Sequence, residues 1–188
     1  MLRLMNRVTR VNIRAHGGAL GASLLYLLWI KAWLDAVYAA SRHPVDYATG
    51  QTAFSAEVIK GHYAHMQAFG TLDIYQRAQV IDFGFILGML LVGVLLSTFI
   101  ARFAREASTA RRAALLAGLA MIGAAIFDSF ENLVSFVMLA DPQGFPGWIA
   151  LAYSGFAAVK FALVALAILL ALVATALTLA GRLRGSTK

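Results

Sequence analysis

Cysteine is absent from the 188 residues, which excludes disulfides, thiolate catalysis and Cys-ligated metal or iron–sulfur centres. Charge is scarce as well. Only 13% of the residues are Asp, Glu, Lys or Arg, where a soluble domain carries roughly 25%. Proline occurs three times, at positions 44, 142 and 146, and never inside an apolar run. The phosphate loop, the nucleophile elbow and the dinucleotide fingerprint are missing too, so no cofactor is expected.

What is present is apolar: 61% of the chain, gathered into runs at residues 17–40, 80–104, 113–140 and 148–180. A helix needs about 20 such residues to cross a hydrocarbon core ~30 Å thick, and each run is long enough. The expectation is an all-α transmembrane bundle of four helices forming a single domain over residues 1–188. The first run resembles a signal sequence, but it exceeds the 7–15 apolar residues of one and carries Lys31 and Asp35 at its end, so a retained helix is expected.

The net charge of +7 does not point to nucleic acid, because the basic residues sit at the ends of the apolar runs instead of on one polar face. Such a distribution orients a chain in a membrane and attracts lipid headgroups. Arg3, Arg7, Arg10 and Arg14 precede the first run. Arg102, Arg105, Arg111 and Arg112 lie between the second and third, and Arg182, Arg184 and Lys188 follow the fourth, against Arg42, Lys60 and Arg77 on the opposite side. Eleven against three places both termini in the cytoplasm and residues 41–78 outside.

That outer segment is too long for a plain connection. Ser55 is a candidate N-cap, and Val58, Ile59, His62, Tyr63, Met66 and Phe69 recur on a helical stripe, so an amphipathic helix ended by Gly70 is expected on the outer membrane surface. Between the third and fourth runs, residues 141–147 hold every breaker type and predict a tight turn joining antiparallel neighbours.

Six ionisable residues fall inside the runs: Lys31, Asp35, Asp82, Asp128, Glu131 and Lys160. Each costs several kcal/mol in lipid unless paired or hydrated, which makes them the candidate site. At ~1.5 Å per residue, Asp128 lies ~24 Å and Glu131 ~28 Å from Arg112, and all six fall in the outer half. Asp128 and Lys160 are nearly equidistant from Gly144, so they are expected to meet. Asp128, Glu131, Asn132 and Ser135 share one face of the third helix, Tyr75, Gln79 and Asp82 one stripe of the second, and Tyr153 and Lys160 one stripe of the fourth.

With Asp128 taken by Lys160, Glu131 is the carboxylate left over, placed to meet Asp82 and suited to proton exchange or cation capture. Lys31 and Asp35 read equally as a pair snorkelling to the interface, and the Asp128–Lys160 pair as a register-fixing salt bridge. His62 and His65 make a weak metal motif, and transmembrane haem finds no mid-depth histidine; no metal is expected. Gly84 and Gly88 form a small-residue motif, read first as packing within the chain and second as a route to a homo-oligomer.

The order Tyr75, Gln79, Asp82-Phe83, then Asp128, Glu131-Asn132, then Lys160 resembles a pattern in a group of small bacterial four-helix membrane proteins. In that group a proline tends to follow the Asp-bearing segment of the second helix, where this chain has Gly84 and Gly88. The resemblance implies the four-helix fold and a bacterial inner membrane, and no activity. Two functions stay open. One is a membrane-embedded enzyme or binding protein for a lipid-like substrate entering from outside, with Asp82, Asp128 and Glu131 as acid/base groups, Lys160 tuning them, and Tyr75, Gln79, Asn132 and Tyr153 contacting the substrate. The other is a non-enzymatic transporter, an ion- or proton-coupled subunit, or an assembly partner.

Overall fold

A computed structural model describes residues 1–185; the Lys188 counted above lies outside the described residues, and so does the side chain of Arg184. The regular structure of the described chain is all helix, with no strand: α1 (Leu2–Val8), α2 (Ile13–Ala40), α3 (Tyr47–Gln51), α4 (Ala56–Ala68), α5 (Leu72–Phe103), α6 (Thr109–Ala140) and α7 (Gly147–Gly185). Four of these are long and apolar enough to cross a membrane: α2, α5, α6 and α7 as far as Leu183. Their outer faces support that assignment. Leu25 and Leu28 of α2 are 71% and 66% exposed and Leu172 of α7 is 64% exposed, a density of bare leucine that water does not tolerate.

The four apolar runs are therefore the four long helices. Three of them start four or more residues earlier than hydropathy indicates, α2 among them at Ile13 against residue 17. α5 begins at Leu72, eight residues ahead of residue 80, because Asp73 suits the first turn and Gln76 and Arg77 are good helix formers that an apolar window passes over. α6 begins at Thr109, four residues ahead of 113, for a similar reason: Arg111 and Arg112 belong to the helix.

The chain packs as two compact units, one made of Met1–Tyr26, Gly88–Ala124 and the chain from Ala162, the other of Leu27–Leu87 and Ala125–Phe161. In the first unit, buried alanines at 101, 113, 114 and 174 let helices approach closely around Met5, and Gly118 has no room for a Cβ against Met5 and Ser97. Two of the arginines counted for orientation also tie down the chain start. Arg111 Nη2 donates to Asn6 Oδ1 (2.9 Å) and Thr9 Oγ1 (3.1 Å), and Arg102 donates to the carbonyls of Thr9 and Val11. Of the small-residue pair, Gly88 is buried within the chain and Gly84 half-buried.

The second unit contains the expected helix between the first two spans. Ser55 Oγ accepts from Val58 N (3.3 Å) and starts α4; Gly70, at φ +65°, ends it. Its apolar stripe divides. Ile59, Tyr63 and Met66 are buried against Tyr75, Met138, Phe145 and Tyr153, whereas Val58 and Phe69 are about half exposed. Most of this stripe therefore packs on protein, which corrects the expectation that it lies on the membrane surface. The expected turn between α6 and α7 forms as well: Gly144 N donates to Asp141 Oδ1 (3.0 Å), and a Cβ at Gly144 would overlap that carboxylate. The turn delivers Phe145, 3% exposed, into the core under Tyr63.

Candidate functional site

The residues that share faces in the sequence converge in the second unit. Lys160 of α7 donates from Nζ to Asp128 Oδ1 of α6 at 2.6 Å, so the level match about Gly144 holds. The same ammonium also contacts Glu131 Oε2, one turn along α6. This corrects the reading of Glu131 as the unpaired carboxylate: a lysine reaching across between two acids three residues apart serves both. Glu131 does not meet Asp82 directly either. Asn132 Nδ2 donates to Asp82 Oδ2 at 2.7 Å, so the amide one position further along α6 makes that bridge.

Glu131 and Asn132 are 0% exposed and Lys160 is 6% exposed. Two of their atoms remain without a hydrogen-bond partner, Glu131 Oε1 and Asn132 Oδ1. A buried acceptor in that state costs about 1–3 kcal/mol, so it calls for a proton, an ion, a water or a ligand. The charge balance adds to this. Asp82, Asp128 and Glu131 face one lysine. Lys31 does not help, because it forms its own pair with Asp35 (2.5 Å) at the exposed surface of α2.

Tyr75, Gln79 and Tyr153 form a second polar layer. Gln79 Nε2 donates to the Tyr75 hydroxyl at 2.7 Å, and the Tyr153 hydroxyl bonds the same oxygen. All three residues are at least nine-tenths buried. They also line a cleft, together with Tyr38, His43, Tyr47 and Asp82. Its accessible volume is about 10 Å³, room for roughly one water.

Sequence reasoning missed the wall of this cleft supplied by residues 43–51. Tyr38 stacks on Tyr47 with ring centroids 3.8 Å apart, and His43 lies against Tyr38 (5.2 Å), Tyr75 (5.2 Å) and His62 (5.0 Å). A signal was available in Asp46-x-x-Thr49, a helix-start pattern: Asp46 accepts from Thr49 N (3.0 Å) and Thr49 Oγ1 (2.8 Å) and begins α3. α3 then brings Gly50 so close to His43 that a Cβ there would lie 2.9 Å from Cε1. The segment is held by Tyr38 Oη donating to Val45 O (2.8 Å) and Phe54 N donating to Ser154 Oγ (3.0 Å).

His43 Nδ1 is 2.9 Å from Val45 O, so the neutral tautomer donates there and leaves Nε2 as an acceptor. Burial pushes its pKa down to about 4 against the opposing pull of that carbonyl, with His62 and His65 adding to the depression. The imidazole is therefore uncharged at neutral pH. His62 and His65 point to different neighbours, His43 and the Phe69 ring (4.9 Å), and no group of three or more His, Asp or Glu side chains converges on a metal position among the described residues.

Fold and site together define an all-helical protein with four membrane-length helices and a buried carboxylate–lysine cluster beside an aromatic cleft. No protein-family model, curated protein or solved structure matches the chain.

Proposed function

We propose that this is a multi-pass protein of a bacterial inner membrane, with both termini cytoplasmic, whose polar core is an outward-facing pocket for a lipid-like molecule. The observation that carries the reading is the surplus of acid. Three carboxylates stand against one lysine: Asp128 and Glu131 contact Lys160, Asp82 is held by Asn132, and Glu131, 0% exposed, keeps one oxygen without a partner. A register-fixing salt bridge needs one acid per base; two more are useful only to a group that is bound or protonated there. Glu131 and Asp128 act as acid/base or binding groups, Lys160 sets their charge, and Asp82 with Asn132 carries the network toward Gln79, Tyr75 and Tyr153. A conduit is disfavoured, because residues 91–100, 113–125 and 161–181 contain no ionisable side chain to continue a path.

The test is native mass spectrometry of the protein extracted gently from its membrane. A retained lipid-sized adduct is expected in the parent and is expected to be lost in Glu131→Gln, whose thermal midpoint stays within a few degrees. Retention of the adduct in that variant would remove Glu131 from the pocket, and an unfolded variant would return it to a structural role.

A further inference from the structure

The cleft beside the carboxylate cluster has a composition that selects one ligand chemistry. No lysine or arginine lines it. The nearest ammonium groups are engaged elsewhere, Lys31 with Asp35 and Lys160 with Asp128 and Glu131. Its walls are the ring of His43 and those of Tyr38, Tyr47, Tyr75 and Tyr153, and a tyrosine ring face attracts cations. Anionic and plain apolar ligands are poorly served by such a surface.

Three of its polar atoms remain as acceptors beyond the bonds already described. Asp82 spends Oδ2 on Asn132, leaving Oδ1; Gln79 spends its amide nitrogen on Tyr75, leaving its oxygen; His43 spends Nδ1 on Val45, leaving Nε2 beside Gly50. Three acceptors, one of them charged, match the three N–H donors of a primary ammonium group. Size points the same way. An accessible volume of about 10 Å³ holds a water-sized head and not a trimethylammonium group.

We infer that the cleft formed by Tyr38, His43, Tyr47, Gln79 and Asp82 binds a primary ammonium group, carried by an aminolipid headgroup or by a free small amine. This rests on the reading of the polar core as a ligand pocket and names the head of its ligand.

The experiment measures thermal unfolding of the full chain in a maltoside detergent with ethanolamine, tetramethylammonium, potassium or ethanol added. A parallel arm uses nanodiscs of phosphatidylglycerol doped with phosphatidylethanolamine or phosphatidylcholine. Ethanolamine at about ten times its Kd raises the midpoint by about 3 °C or more, whereas the other three additives do not. Asp82→Asn abolishes the shift and His43→Phe, which keeps the ring stack but removes the acceptor, weakens apparent affinity at least about fivefold. Should Asp82→Asn fail to fold, His43→Phe decides.

A shift with phosphatidylethanolamine over phosphatidylcholine assigns the group to a lipid headgroup, and a shift with ethanolamine alone assigns it to a soluble amine. Equal stabilisation by potassium, tetramethylammonium or ethanol overturns ammonium recognition. No shift from either amine source overturns it too, and a Glu131-dependent lipid adduct retained beside that result leaves the pocket standing without the amine.

Discussion

At Lys160 one ammonium lies against two carboxylates, and that geometry ranks the effects of neutralising each partner. Lys160→Met leaves Asp128 and Glu131 facing each other without a counter-ion, and a broken buried pair typically costs about 3–5 kcal/mol. Asp128→Asn leaves the lysine with Glu131 and is expected to cost markedly less. Exchanging the charges at 128 and 160 restores only part of the loss, because the new acid at 160 would face Glu131. Thermal unfolding of the four proteins in one detergent reads this ordering, and equal losses for the two single variants would mean that Glu131 does not share the lysine. His43 makes a separate prediction. Its folded pKa, about 4, lies below the ~6.5 of an unfolded imidazole, so the unfolded chain takes up the proton first as pH falls. The stability that depends on a neutral His43 is complete above about pH 6.5 and is lost between there and pH 4, by about 3 kcal/mol at most. Denaturation followed across that window should show a slope that His43→Phe flattens.

Among the elements, α4 shows best where sequence legibility stops. Ser55 as N-cap, the stripe through Met66 and the stop at Gly70 are local signals, and each appears where the pattern places it. Which surface the stripe meets is not local. Ile59, Tyr63 and Met66 find Met138, Phe145 and Tyr153 more than 70 positions away, and no periodicity distinguishes that partner from lipid. Met66→Ala is accordingly expected to cost about 2–5 kcal/mol as a cavity forms, and Val58→Ala, on the exposed side, under about 1 kcal/mol. Hydrogen exchange over residues 56–69 should speed up in the first and stay unchanged in the second; the reverse would put the stripe back on the membrane. The same limit hid α3. Five residues started by Asp46 carry too little hydropathy to register, yet α3 supplies Tyr47 and Gly50 to the cleft.

For the whole molecule, the eleven-to-three distribution of Lys and Arg predicts which side of a membrane each connection faces. Single cysteines introduced at Glu57 and Thr109, both exposed, can be read cleanly in a chain that has none of its own. Glu57→Cys is expected to react with an impermeant maleimide from outside, and Thr109→Cys only after permeabilisation; the opposite pattern would invert the topology and turn the pocket inward. The number of long helices, their approximate extents and the meeting of Asp128 with Lys160 all follow from the sequence. Hydropathy is summed along one continuous segment, and a tight turn with ~1.5 Å rise on both sides makes depth a matter of counting. Which neighbour each polar atom takes at that depth was decided only by the tertiary structure. Lys160 serves two acids, Asn132 in place of Glu131 reaches Asp82, and Tyr38, His43 and Tyr47 close around Gln79, because these contacts depend on how helices rotate and pack against one another. Rotation is set by side-chain volumes summed over many distant residues, and no short stretch of sequence contains that sum.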